Sequence, residues 1–163
     1  MTLTPGLVRV LAIAVMLVAG GFTGDRAVAA AQQKPAATAA LPGVVVHKDP
    51  NCGCCSLWGR HLAQAGFPVK YVDTPDLAAV RARYRVPRTL QSCHTAIVDG
   101  YVIEGHVPAD DVKRLLRTRP KVLGLAVPGM PIGSPGMEQG GQKQSYAVMS
   151  FDAAGKTAVF AEH

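Results

Sequence analysis

Hydrophobic positions change period several times along this chain, and each change marks an element. Val44-Val45-Val46-His47 is a short β-branched run closed by Asp49-Pro50-Asn51, which predicts a buried strand ending in a turn. From Cys54 onward, Leu57, Trp58, His61, Leu62 and Ala65 recur at helical spacing, and Gly66 stops the helix they predict. Val69-Lys70-Tyr71-Val72 alternates like a second strand. Asp73-Thr74-Pro75-Asp76 then supplies turn and capping residues for a helix over Leu77 to Tyr84, with Pro87 as its limit. Thr95 to Val98 and Tyr101 to Glu104 flank Asp99-Gly100, a dipeptide that favours a two-residue hairpin turn. Pro108-Ala109-Asp110-Asp111 opens a helix with proline and acid in its first turn; Val112, Leu115 and Leu116 form its apolar stripe, and Arg117 and Arg119 close it. Gly124 to Gly141 is dense in glycine and proline and predicts a long loop. Tyr146 to Phe151 and Thr157 to Phe160, around Asp152-Ala153-Ala154-Gly155, predict a terminal hairpin.

The order βαβα followed by ββα is that of an α/β, thioredoxin-like domain, whose two halves share one sheet with helices on its faces. In that architecture the redox motif occupies the loop from the first strand into the following helix, where Cys52-Gly53-Cys54-Cys55 falls. At 163 residues, 48% hydrophobic and 17% charged, the chain has material for a single ordinary core. The domain is placed at 42–163, behind a flexible linker over 32–41 (QQKPAATAA and Leu41) that lacks apolar periodicity.

The first 31 residues read as a signal peptide. Val10 to Phe22 carries no charge and follows Arg9, but it is shorter than the roughly 20 apolar residues a bilayer crossing needs. Ala27-Val28-Ala29-Ala30-Ala31 offers A-x-A cleavage sites, best after Ala29 or Ala31. An exported domain with no stable membrane insertion after cleavage is the expectation, an uncleaved anchor the alternative. The formal charge of +6 would ordinarily suggest nucleic acid. Export argues against it, and the basic residues (Arg81, Arg83, Arg85, Arg88; Arg114, Arg117, Arg119) are scattered over two helices without interleaved aromatics, as solvated faces are.

Four cysteines in an exported chain would usually mean two disulfides, but the spacing opposes it. Adjacent Cα atoms lie ~3.8 Å apart, inside the ~4.4 to 6.8 Å of an unstrained disulfide, so Cys54 and Cys55 should not pair. Cys52 and Cys55 have C-x-x-C spacing and can form a thioredoxin-type bond, yet dithiol exchange gives no task to Cys54. Three thiols within four residues make better sense as metal ligands. The loop lies at a helix N-terminus, where free N–H groups stabilise thiolate, and Gly53 is expected to keep the turn clear so that the sulfurs converge. Thiolates select copper(I), zinc or iron–sulfur clusters over hard ions.

Cys93 and His94 precede the third strand, at the sheet end that should face the cluster; a covalent bridge from Cys93 to Cys52 or Cys55 is the competing reading. His94 and His106 bracket the hairpin that Cys93 enters, although a lone histidine at a strand end is more often structural. Pro128-Gly129-Met130 and Pro135-Gly136-Met137 repeat a Pro-Gly-Met element on the long loop. Thioether sulfur suits copper(I) and not zinc, which makes a structural zinc knot the weakest reading; as hydrophobic plugs the same methionines would hold the loop to the core. Met149, Trp58 and Phe67 read as packing residues.

These strings, together with Gly66-Phe67, Ser92-Cys93-His94-Thr95, Gly100-Tyr101, Ile103-Glu104-Gly105-His106-Val107-Pro108 and Gly124-Leu125-Ala126-Val127-Pro128-Gly129-Met130-Pro131, resemble the periplasmic copper-resistance proteins of the CopG type, a thioredoxin-like group with a C-x-C-C motif. The resemblance runs from about Val44 to Glu138. It implies copper, in more than one ion if the cluster is shared, held by Cys52, Cys54, Cys55 and Cys93 with His94, His106, Met130 and Met137. It also implies a role in copper tolerance, copper redox cycling, and other periplasmic copper-handling or redox proteins as partners. His47 departs from the pattern, with solvent exposure expected rather than ligation. A thiol–disulfide oxidoreductase acting through Cys52 and Cys55 is the alternative function. Nothing in the chain suggests the acid–base pair of a hydrolase.

Overall fold

The computed structural model describes residues 40–163; the expected signal peptide at 1–31, and the linker as far as residue 39, lie outside the described residues. Strand β1 (Val44–Lys48) leads through the Asp49–Asn51 turn into helix α1 (Gly53–Gln64), strand β2 (Val69–Asp73) and helix α2 (Leu77–Arg83). A single 3₁₀ turn over Arg88–Leu90 precedes the hairpin of β3 (His94–Val98) and β4 (Tyr101–Glu104), then helix α3 (Ala109–Thr118). Strand β5 (Gly124–Ala126) and the hairpin of β6 (Ala147–Phe151) and β7 (Thr157–Glu162) complete the described chain.

All seven strands form one mixed sheet in the order β2-β1-β3-β4-β5-β6-β7. β1 runs parallel to β2 and β4 parallel to β5; the other neighbours are antiparallel. The βαβα then ββα order expected from the sequence is therefore present, as a mixed α/β domain. Strand alternation divides the interior into two layers. Val44, Val46, Ala96, Val98, Ile103, Leu125 and Val148 pack with Trp58 and Leu62 of α1 and Val112 and Leu115 of α3. Their sequence neighbours Ile97, Val102, Ala126 and Met149 turn the other way, onto Val86, Leu90 and Phe151. Trp58, fully buried, donates its indole N–H to the Val107 carbonyl at 2.9 Å and so ties α1 to the segment entering α3.

The local chemistry explains where elements stop. Asp99 and Gly100 have φ of 48° and 85°, the paired left-handed conformation of a tight hairpin turn. Asp76 accepts from the Ala79 N–H at 2.9 Å and caps α2. Gly66 follows α1 at φ 99°.

Two expectations are corrected. Residues Gly124–Ala126 are not the start of a loop but the strand β5, central in the sheet. Gly124 is required there because a Cβ would collide with the Val102 carbonyl of β4. The arginines are also not uniformly solvated. Arg81 is paired with the fully buried Glu104, and Arg114 lies 3.9 Å over the Phe160 ring while bonding Asp111. Among the described residues, no helix is long and apolar enough to cross a membrane.

Candidate metal centre

The turn after β1 is fixed by Asp49, whose carboxylate accepts from Asn51 N–H at 2.8 Å and whose carbonyl accepts from Cys52 N–H at 3.0 Å. Cys52 is the N-cap of α1, and no side chain satisfies the first-turn N–H groups. Their dipoles therefore act on the sulfurs gathered there. Gly53 does not have the role expected of it: it is exposed and a Cβ there would meet open space. The glycine that lets the site close is Gly136, at φ 86°, where a Cβ would stand 2.8 Å from the Cys54 carbonyl and the Trp58 nitrogen.

Cys52 and Cys55 form a disulfide, with Cα atoms 5.4 Å apart, while Cys54 and Cys93 are free thiols. Cys54 and Cys55 are unpaired with each other, as the adjacent-Cα argument requires, and Cys93 bridges to neither Cys52 nor Cys55. Sγ of Cys54 lies 3.5 Å from that of Cys52 and 4.0 Å from that of Cys93. All four sulfurs fall within 4.8 Å of one another, although Cys93 is separated from the others by about forty positions of chain.

Cys93 also belongs to a second group, with His94 and His106. Its sulfur is 2.9 Å from His106 Nε2 and 3.3 Å from His94 Nδ1. The His106 Nδ1–H donates to the Pro135 carbonyl at 2.8 Å, which leaves the Nε2 lone pair facing sulfur. His94 is fully buried, with Trp58 4.4 Å from it on one side and His106 5.2 Å away on another. Its Nε2 has no hydrogen-bond partner. Burial, followed by the neighbouring His106, holds His94 well below the usual imidazole range. Burial likewise lowers His106 against the opposing pull of the Pro135 carbonyl. The Cys93 thiol is pushed up to about 12 by burial and then by the Cys54 sulfur. Two neutral imidazoles, an orphaned ring nitrogen and soft sulfurs are a donor set that fits copper.

The loop from Pro128 to Glu138 closes over these groups. Ser92 Oγ donates to the Gly129 carbonyl, Pro135 receives His106, and Gly136 seats on α1. Met130 is 52% exposed and lines a groove with Pro128, Tyr146 and Met149. Met137 is half-buried, its N–H bonded to the Ser134 carbonyl at 2.8 Å. His47 belongs to neither donor group: it is half-buried on β1, 3.4 Å from Thr74 Oγ1, rather than fully solvated. Sequence reasoning missed the ion pair beneath the site, in which Glu104 Oε1 receives Arg81 Nε at 2.9 Å and Ser92 N–H at 2.8 Å.

Fold and site together define a class: a mixed α/β domain that gathers cysteine sulfurs and buried imidazoles at one end of its sheet in an arrangement fit for copper. Residues 90–137 match the family model described as "Protein of unknown function, DUF411". Two solved structures, Copper resistance protein CopG in Form 2 and Form 1, are each 46% identical to this chain, with TM-scores of 0.73 and 0.72. Each alignment covers 76% of this chain and 98% of the other. The chain belongs to this CopG family of copper-resistance proteins. No curated protein sequence matches it.

Proposed function

We propose that this is an exported, periplasmic protein that binds copper(I) through Cys52, Cys54, Cys55 and Cys93, with His94, His106, Met130 and Met137 completing the ligand set, and that it contributes to copper tolerance. The observation that carries the reading is the convergence of four sulfurs within 4.8 Å from two distant stretches of chain. The name of the two similar structures, copper resistance protein, supports the choice of metal. Crowded soft donors of this number suit more than one ion.

The Cys52–Cys55 bond bears on when binding occurs. Reduction by a dithiol, which departs as a disulfide, returns two thiols to the cluster. Each thiol then releases its proton as it takes the metal. The burial that keeps His94 and His106 neutral leaves their lone pairs ready without competition from protons. Copper bound among these donors would supply one-electron redox chemistry, and partners would be other envelope copper-handling or redox proteins. The direct test is competition of the reduced, anaerobic protein with a copper(I) chelator. Transfer of copper to the protein is expected, and its absence sinks the reading.

One observation favours a second reading, thiol–disulfide exchange: a C-x-x-C disulfide at the N-terminus of a helix. Cys54→Ser separates the two. Exchange through Cys52 and Cys55 survives that change, whereas copper stoichiometry falls.

A further inference from the structure

Ser92, the residue before Cys93, is gripped on three sides. Its N–H donates to Glu104 Oε1 at 2.8 Å, its carbonyl accepts from Arg81 Nη2, and its hydroxyl donates to the Gly129 carbonyl. Glu104 is fully buried, and its other oxygen receives the Thr95 hydroxyl at 2.6 Å, two residues beyond Cys93. One carboxylate thus holds the backbone before the cysteine and the side chain after it. Arg81 closes the bracket from α2, using separate nitrogens for Glu104 and for Ser92.

The same carboxylate sits two residues before His106, and the Glu104 carbonyl accepts Val127 N–H at 3.0 Å at the start of the methionine loop. Gly105 lets these segments close. It lies at φ 70°, and a Cβ there would run into the Ser92 side chain and stand 2.7 Å from the Val127 carbonyl. Segments 92–95 and 104 therefore meet on one buried ion pair, and 127–129 is tied to them through the Glu104 carbonyl and the Ser92 hydroxyl; each leads directly to a donor or to the loop that carries one. A surface salt bridge could be lost without consequence. This pair is the partner of the Ser92 N–H, the Ser92 carbonyl and the Thr95 hydroxyl together.

We infer that Arg81 and Glu104 are positioning residues that fix Cys93 relative to His106 and the methionine loop, without touching the metal themselves. The inference rests on the copper-binding reading for its function and on geometry for its mechanism, so the experiment reads both.

Arg81→Lys keeps the charge but cannot fork to Glu104 and Ser92 together. Glu104→Gln keeps the reach but leaves Arg81 without its counter-charge. Asp111→Asn is the control, since it weakens another ion pair with a buried carboxylate, between Asp111 and the more exposed Arg114 on α3, away from the cysteines. Two readouts are taken on purified protein: copper(I) affinity by chelator competition in the reduced state, and, in the oxidised state, the rate of iodoacetamide alkylation at Cys93 relative to Cys54, resolved by peptide mass spectrometry.

Arg81→Lys and Glu104→Gln are expected to weaken copper binding by roughly 10- to 100-fold, the range for residues that orient metal ligands. Both should also raise the Cys93 to Cys54 alkylation ratio several-fold. Asp111→Asn should lower the melting temperature and leave both readouts unchanged. A wild-type ratio and affinity in Arg81→Lys overturn the inference, as does an equal change in Asp111→Asn, which would mark a general loss of stability. If the wild-type protein takes no copper, the functional reading fails, and the alkylation ratio still decides whether the pair positions Cys93.

Discussion

Buried carboxylates stand in the same part of the fold as histidines at two places in this domain, and the histidines are put to different uses. At the free end of β7, His163 Nε2 bonds Asp111 at 2.7 Å and stacks on Tyr146 with ring centres 5.1 Å apart. Arg114 holds the other Asp111 oxygen at 3.1 Å and also the Phe160 carbonyl. That imidazole is committed to a clasp between the last strand and α3. At the sheet end, Glu104 bonds Arg81, Ser92 and Thr95 and no imidazole. His94 and His106 are left facing Cys93, one with an orphaned nitrogen and one oriented by a neutral carbonyl. His163 spends a ring nitrogen on Asp111 in the clasp, whereas His94 and His106 each turn a ring nitrogen toward the Cys93 sulfur. The position of the carboxylate, more than the presence of histidine, separates the candidate metal centre from the clasp.

The comparison breaks most readily at Cys93, which both donor groups share. Cys93→Ser should lower copper(I) affinity by more than the roughly 100-fold reached by changes outside the first ligand set, while His163→Ala should leave it unchanged. Chelator competition on the two variants in parallel is the measurement. Equal affinities would remove the distinction between the two ends.

Next in size is the clasp. Asp111→Ala leaves His163 and Arg114 without their shared acceptor and should cost about 2 kcal/mol, typical of hydrogen bonds to a charged group. A lower urea midpoint at unchanged slope is the expected signature. Copper binding should not follow it.

Much of this arrangement can be read from local sequence. Asp99-Gly100 announces its turn because only residues tolerant of positive φ fit both positions, and both adopt it. The C-x-C-C string shows its sulfurs crowded because spacing alone puts them there. Cys93 could be placed opposite them because the strand order dictates which loops share a sheet end. What was hidden depends on partners remote in sequence. Arg81 looks like any helix-surface arginine until Glu104, 23 positions away, is folded beneath it. Strand β5 is three residues, Gly-Leu-Ala, with no β-branched side chain; β4 and β6 on either side make it a strand. Gly53 and Gly136 are indistinguishable as letters, and only the approach of the loop to α1 shows which one is needed.

A smaller effect concerns a fourth histidine, intermediate between the two kinds. His61 Nε2 accepts the Ala109 N–H at 3.1 Å, capping α3, and can do so only when unprotonated at that nitrogen. Burial lowers its pKa, against Glu138 and Asp110, which raise it, and alongside Lys113, which lowers it. With the folded value below the unfolded one of about 6.5, the unfolded chain takes up the proton first as pH falls. Stability should therefore be full above that value and decline as pH drops toward the folded pKa. Urea titrations of the metal-free protein between neutral and mildly acidic pH should show the decline. His61→Gln, which keeps an acceptor but does not titrate, should make it shallower.

The smallest expected effect tests whether the sheet-end centre extends into its covering loop. Leucine nearly conserves the volume of methionine, so Met130→Leu and Met137→Leu should change stability by less than about 1.5 kcal/mol and remove only the thioether. Met137 follows Pro135 and Gly136, which anchor the loop to His106 and α1, whereas Met130 is 52% exposed beside an open groove. Ligation by an anchored segment costs less ordering entropy than ligation by a free one. Met137→Leu should therefore weaken copper(I) binding more than Met130→Leu, each by less than about tenfold, which corresponds to 1.4 kcal/mol. If both variants match the wild type in chelator competition, the methionines are packing plugs, and the centre ends at its cysteines and histidines.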